Sequence, residues 1–324
     1  MDALSDVLRA LRFSGGVFLD GEFTAPWCVH SRVTPEDFPG RIDLPPSVVG
    51  FHYVVDGRMQ VQTEGAEAVV VQAGEMVLLP RNDAHLLASE PGLQPADPDP
   101  PVQRLEGGLM RMVHGGGGTP TRIVCGYVAS EARRHPLLQA LPTVFALDVK
   151  GRPSAEWVAA SFRYAAQEVS SGRAASETVL SKISELLSVE AVRHYAETLP
   201  PDRKGWFAGL RDPAVGRALA LLHARVANAW TTEALAAEVN LSRSAFAERF
   251  TQLVGVPPIS YLTDWRMQLA AARLRDTPRS IGQIAAELGY ESEATFTRAF
   301  KRAMSVAPGR YRSAGASFKA PAPG

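Results

Sequence analysis

Leu235-Ala236-Ala237-Glu238-Val239 returns 49 residues later as Ile284-Ala285-Ala286-Glu287-Leu288. Phe246 and Phe250 return at a spacing of 50 as Phe296 and Phe300, and Pro258 and Tyr261 return as Pro308 and Tyr311. A repeat at this period marks one supersecondary unit used twice. Each copy reads as helix, short turn, helix. In the first, Thr232 caps a helix through Val239, Asn240-Leu241 turns, and Ser242 caps a second helix toward Val254. In the second, Ser280 and Gln283 form a Ser-x-x-Gln capping box, Gly289-Tyr290 turns, and Ser292 caps a helix through about Met304. Such a pair of helices presents its second member outward, where it fits a major groove.

Between the copies, Ile259 to Arg275 reads as one helix with Leu262, Trp265, Leu269 and Ala272 on a common face. Seventeen residues at ~1.5 Å each span ~25 Å, a suitable strut for holding two recognition helices about one turn of DNA (~34 Å) apart. Phe246 and Phe250 are four apart and face a core, as do Phe296 and Phe300. The opposite face of the first recognition helix then presents Arg243, Ser244, Ala247 and Glu248, and that of the second presents Glu293, Ala294, Thr297 and Arg298. Arg298 suits a bidentate bond to guanine, and Glu248 suits acceptance from cytosine. Arg249, Lys301, Arg302 and Arg312 are placed for phosphate contact or for internal pairing. The expected partner is double-stranded DNA.

These residues, taken in order from 212 to 312, resemble the DNA-binding domain of the AraC/XylS family of regulators. The similarity runs through Trp230-Thr231, Leu235-Ala236, Ser242 to Phe250, Gly255-Val256-Pro257-Pro258 and Tyr261-Leu262. It continues with Arg266, Ala270, Leu274, Ile284-Ala285, Gly289-Tyr290, Phe296 to Lys301, Pro308, Tyr311 and Arg312. One departure is Ser305, where the second copy usually carries glycine. The resemblance implies base contacts from Ser244, Ala247, Glu248, Thr297 and Arg298, transcription activation, and RNA polymerase as a partner.

Charge divides along the chain. The net formal charge is zero, yet residues 201–324 hold 17 Lys and Arg against 10 Asp and Glu, leaving the first 200 residues acidic. That asymmetry suits a sensing domain joined to a polyanion-binding one. No apolar run reaches the length of a membrane span, and the first residues lack a signal-peptide pattern. Leu4, Val7, Leu8 and Leu11 instead suggest a short amphipathic helix. Two cysteines, Cys28 and Cys125, make no disulfide framework, so a cytoplasmic setting is expected.

Residues 13–128 show short extended runs and tight turns. Val48 to Val55, then Asp56-Gly57, then Arg58 to Thr63 carry a hairpin signal. Val69 to Val71 and Met76 to Leu79 follow, as in a β-sandwich or small barrel. The Pro-rich stretch from Glu90 to Arg104 and the run Gly115 to Gly118 read as mobile loops, and the latter lacks the Lys-Ser/Thr of a phosphate loop.

Gly74 to Pro80 with His85 resembles the second motif of cupin barrels, and Phe51 to Gly57 the late part of the first. Ile123 to Tyr127 with Pro136, Leu137 and Pro142 is similar to the cupin-type sensor domain of one branch of AraC-like regulators. Metal-binding cupins usually carry His-x-His, but here Val54 stands two residues after His52. His52, His85 and Cys125 remain candidate effector residues and candidate ligands for zinc or another transition metal, with Cys28 and His30 as possible fourth ligands. Buried, hydrogen-bonded histidines are the alternative. Cys125 also carries a redox reading: a cysteine beside an imidazole can be held partly as thiolate, and part of this sensor branch resembles regulators that respond to reactive chlorine.

From Ser154 the period becomes helical. Trp157, Ala160, Tyr164 and Glu168 fall on one helix, and Val179, Ile183, Leu186, Leu187 and Val192 on a second. Such a pair serves either as a homodimer seam or as packing on its own domain. The expected fold class is α+β: a cupin-like sensor barrel (1–150), a helical linker (151–202), and an all-α domain with two helix-turn-helix units (203–324). The expected function is a sequence-specific transcription regulator, not an enzyme, whose barrel senses a small molecule, metal or oxidant. The alternative is a cupin metalloenzyme with an appended DNA-binding domain.

Overall fold

The computed structural model describes residues 3–11, 13–37, 44–95, 100–105, 110–130, 136–148, 154–171, 176–199 and 205–316. The expected domain boundaries near residues 150 and 202 lie outside them. In chain order the elements begin with α1 (Ala3–Leu11), β1 (Ser14–Thr24), β2 (Cys28–Ser31), β3 (Ser47–Asp56), β4 (Arg58–Thr63), β5 (Val69–Gln72), β6 (Glu75–Leu79), β7 (His85–Ala88), β8 (Val102–Arg104), β9 (Met110–Gly115) and β10 (Pro120–Ser130). They continue with α2 (Pro136–Ala140), β11 (Phe145–Asp148), α3 (Ala155–Ser171), α4 (Ser176–Thr198), α5 (Trp206–Arg211), α6 (Pro213–Ala224), α7 (Thr232–Glu238), α8 (Arg243–Val254), α9 (Pro258–Asp276), α10 (Ile281–Glu287), α11 (Glu293–Met304) and α12 (Pro308–Ala316). No described helix is long and apolar enough to cross a membrane.

The chain forms two compact units. The first comprises residues 13–131 and 141–199. It holds a seven-stranded sheet in the order β11-β6-β3-β10-β1-β9-β8 and a four-stranded sheet in the order β2-β7-β4-β5. All pairings are antiparallel except β1 with β9. Its main apolar cluster is built from Phe23, Trp27, Val29, Val54, Met59, Val61, Val71, Val77, Leu87, Met112, Ile123 and Cys125. Residues on the other side of β3 meet a helix: Phe162 of α3 stacks on Tyr53 at 4.0 Å and meets Phe51 edge-on at 5.9 Å. With an apolar layer on each face, β3 is buried almost throughout and shows no polar alternation.

Two turn readings change. Asp56-Gly57 makes a tight turn, with Gly57 at φ +82, but no hairpin: β3 pairs with β10 and β6, whereas β4 pairs with β5 and β7. The turn carries the chain from one sheet to the other, and Ala73-Gly74 carries it back. The two crossings are tied together by Ala73 N–H to Gly57 O (2.9 Å) and Gly74 N–H to Val54 O (2.8 Å). The glycine run after His114 is not a loose loop either. Gly116 and Gly118 donate to Thr24 O and Ala25 O at 2.8 Å, and Gly117 N–H donates to Thr24 Oγ1 at 2.9 Å. A Cβ on Gly115 would stand 1.9 Å from Thr24 O, so glycine is needed for this close approach.

α3 and α4 pack on the strands of their own unit. On α3, Val158, Phe162, Ala165 and Glu168 are buried, while Trp157 and Tyr164 are exposed. On α4, Leu187 and Val192 are buried, while Val179 and Leu186 are exposed.

The second unit comprises residues 1–12, 132–140 and 200–324. α1 and α2 therefore group with the C-terminal helices rather than with the strands. Val7 of α1 is fully buried, as its amphipathic spacing implies, and α1 packs on α6 and α9. α9 is buried on several sides rather than along one stripe, because helices of both repeats pack around it. The second repeat has its own core of Met267, Ala270, Leu274, Ile284, Leu288, Phe296, Phe300 and Met304.

Candidate functional site

The caps fix where each recognition helix begins. Ser242 accepts from Ala245 N–H at 3.3 Å and Ser292 from Thr295 N–H at 3.2 Å. The capping box at Ser280 and Gln283 is formed in both directions, at 3.1 and 2.8 Å. Before the first turn, Thr231 rather than Thr232 is the cap, accepting from Ala234 N–H at 3.1 Å. The turns carry Asn240 at φ +56 and Gly289 at φ +78. At the far ends, Gly255 and Ser305 both take the left-handed conformation, so serine fills the role that glycine has in the first copy.

Phe246, Phe250, Phe296 and Phe300 are all fully buried. That rotates the opposite faces outward: Arg243, Ser244, Glu248, Glu293, Ala294, Arg298 and Lys301 are exposed, and Ala247 and Thr297 are half-buried. The cations are not equivalent. Arg243 pairs with Glu233 of α7 at 2.7 Å. Arg249 binds Asp212, which also caps α6 by accepting from Ala214 and Val215 N–H. Arg312 donates to the carbonyls of Leu274 and Arg279 and is a structural brace. Among the described residues Arg298 makes only a long 3.4 Å contact to Thr295 on its own helix. Glu233 and Asp212 are the partners that the sequence reading missed. Asp212-Pro213 carries a legible signal, an acidic cap before a proline at the first helical position.

The barrel residues also come together, as a chain rather than a cage. His52 Nδ1 lies 2.9 Å from Cys125 Sγ, His52 Nε2 lies 2.7 Å from His85 Nε2, and His85 Nδ1 lies 2.8 Å from the carbonyl oxygen of Asp83. Cys125 and His52 are paired across β10 and β3, whereas His85 sits on β7, so the chain bridges the two sheets. Burial lowers the proton affinity of both imidazoles, for His52 with a further contribution from His85, and neutral rings fix the direction of every bond. The Asp83 carbonyl only accepts, so His85 Nδ1–H donates to it. His85 Nε2 then accepts from His52 Nε2–H, and His52 Nδ1 accepts from the Cys125 thiol.

This geometry corrects two expectations. His52 turns opposite nitrogens to Cys125 and His85, so the three do not surround one point. Among the described residues no three His, Cys, Asp or Glu side chains are placed to hold a metal ion. His30 is exposed on β2 and does not complete a site. Cys125 is not held as a thiolate: burial pushes its thiol far up, and His52 serves as acceptor for the intact S–H. Cys28 is buried and its thiol is likewise raised by burial.

A Cupin family model matches residues 2–197, and a helix-turn-helix domain model matches residues 235–314. A "putative AraC-like transcription regulator" of Streptomyces lividans is 33% identical over 96% of this chain and 98% of its own length. One of the same description from Streptomyces antibioticus is 34% identical over the same shares. An "RCS-specific HTH-type transcriptional activator" of Escherichia coli strain K12 is 27% identical over 82% of this chain. With the α+β fold, the double helix-turn-helix and the cupin domain together, the chain belongs to the AraC-like transcription regulators, DNA-binding proteins rather than enzymes.

Proposed function

We propose that α8 and α11 read two successive major grooves of one operator. Ser244, Ala247 and Glu248 then face bases in one groove, and Glu293, Ala294, Thr297 and Arg298 in the next, with Lys301 on phosphate. Arg243 and Arg249 act mainly through their protein partners. The observation that carries this reading is the exposure of two capped helices whose phenylalanines are turned wholly inward. The test is Arg298→Ala. Affinity for the operator should fall about 10- to 100-fold, as for loss of a bidentate base contact worth ~1–3 kcal/mol, with little change on random DNA. Equal losses on both would make Arg298 a phosphate contact.

The barrel is the sensing element in this proposal, and the Cys125–His52–His85 chain is where a signal enters. Hypochlorous acid would oxidise the Cys125 thiol to a sulfenic acid, with chloride and a proton released, and the added oxygen would have to enter the 2.9 Å gap between Sγ and His52 Nδ1, which pushes apart a bridge between two sheets. The likeness to the "RCS-specific" activator of Escherichia coli supports an oxidant over a metal. Mass spectrometry after mild hypochlorite treatment decides this: an unmodified Cys125 in protein whose DNA binding has changed would end it. Exposed Trp157 and Tyr164 on α3, and Val179 and Leu186 on α4, each pair seven residues apart, support a homodimer through these helices. Sedimentation as a monomer at micromolar concentration would remove that part. Activation through RNA polymerase completes the proposal; a reporter that is repressed rather than induced would reverse it.

A further inference from the structure

The turn of the second helix-turn-helix is built against the loop that leads into the first. Arg266, midway along α9, donates through Nε to Val226 O at 2.9 Å and through Nη2 to Asn228 O at 2.8 Å. The same guanidinium lies over the ring of Tyr290, 5.6 Å from its centroid. Between the two bonded carbonyls, Ala227 meets Gly289: a Cβ there would stand 2.2 Å from Ala227 O. Val226 packs into the core of the second repeat. The loop itself is braced, with Trp230 Nε1–H on Arg225 O at 3.1 Å and Trp230 N–H on Asn228 O at 2.8 Å. Three consecutive residues of the first unit are thus gripped by a side chain, a glycine and a core that belong to α9 and the second unit.

A helix alone is a poor clamp for orientation, because each unit could swivel about its own end of α9. We propose that Arg266, with Gly289 and Tyr290, is a positioning joint that fixes the angle and separation of α8 and α11, so that both engage one duplex together. Arg266 touches no base in this scheme. It raises the effective concentration of the second helix at its groove once the first has bound. The inference rests on the reading that both helices contact DNA.

The test uses the full-length protein and a duplex selected from a random-sequence library by the wild type. Companion duplexes have one half scrambled, or the two halves moved apart by two base pairs. Arg266→Ala should lose about 10- to 100-fold on the intact site, stay within about threefold on each half alone, and tolerate the altered spacing better than wild type. Arg266→Lys should behave like the alanine variant, because an ammonium cannot donate to both carbonyls in the fixed fork of a guanidinium. Gly289→Ala should show the same ratio.

Equal losses on full and half sites, an unchanged full-site affinity, or full recovery with lysine would each overturn the proposal. If Arg266→Ala does not fold by circular dichroism, Tyr290→Leu keeps the apolar bulk and is read by the same ratio. A wild type that binds intact and half-scrambled duplexes equally would sink the two-groove reading itself, before any variant is made.

Discussion

The two recognition helices share a frame and differ in what their charges do. On α8, Arg243 and Arg249 are held by Glu233 and Asp212. On α11, Arg298 and Lys301 are exposed, and neither has a salt bridge to another element among the described residues. The first recognition helix spends these cations on holding its own unit together, while the second turns Arg298 and Lys301 outward. Repetition of a fold thus conserves the buried phenylalanines and leaves the surface chemistry free to diverge.

The shared frame gives the largest expected effect. Phe246→Ala and Phe296→Ala should each cost about 3–5 kcal/mol in chemical unfolding, as large-to-small changes at fully buried sites. A markedly cheaper Phe296→Ala would show that the second copy is the looser one. Acid should separate the copies next. His223 of α6 is buried beside the first copy, stacked on Trp265 at 4.2 Å and bonded through Nε2 to Tyr261 Oη at 2.8 Å. Burial lowers its pKa from 6.5 to about 4. A depressed histidine favours the folded state above the unfolded value and opposes it below. Stability should therefore fall between pH 6.5 and about 4, by ~3 kcal/mol from this group. His223→Gln should flatten that limb in melts followed against pH; an unchanged profile would acquit His223.

The charge contrast has its own test. Lys301→Ala should lower the salt-dependence slope of DNA binding by about 0.9, the value for one phosphate contact, with little change in stability. Arg249→Ala should do the opposite, lowering stability by about 1 kcal/mol through the Asp212 cap while leaving the slope alone. Identical slopes in both variants would erase the distinction. The smallest effect lies at the helix ends. Ser305→Gly should stabilise by about 1 kcal/mol, since serine there adopts the left-handed conformation at φ 65, and Gly255→Ser should lose a similar amount.

The helical half was legible because its signals are local. Ser242, Ser280 and Ser292 cap within three residues, and the paired phenylalanines declare one face by spacing alone. The strands were legible as strands but not as partners. Asp56-Gly57 announces a turn, yet whether the next strand returns alongside depends on β10, some seventy residues away in sequence. Trp157 and Tyr164 fit a helical period as well as Val158 and Phe162 do, and only the strands beneath α3 decide which pair is covered. The residues of the barrel chain could be named from sequence. Their order could not, because His52 stands between the other two only once two sheets face each other.

α1 leaves a mark on how this protein is made. It precedes every strand in the chain, yet α6 and α9, on which it packs, follow them all. Its apolar side therefore stays uncovered until the helices that follow the strands have been made. Contacts between distant parts of a chain form slowly, so closure of this ring of sequence should be a late event in maturation. A fragment begun at residue 205 would carry the DNA-reading helices with one of their supports missing.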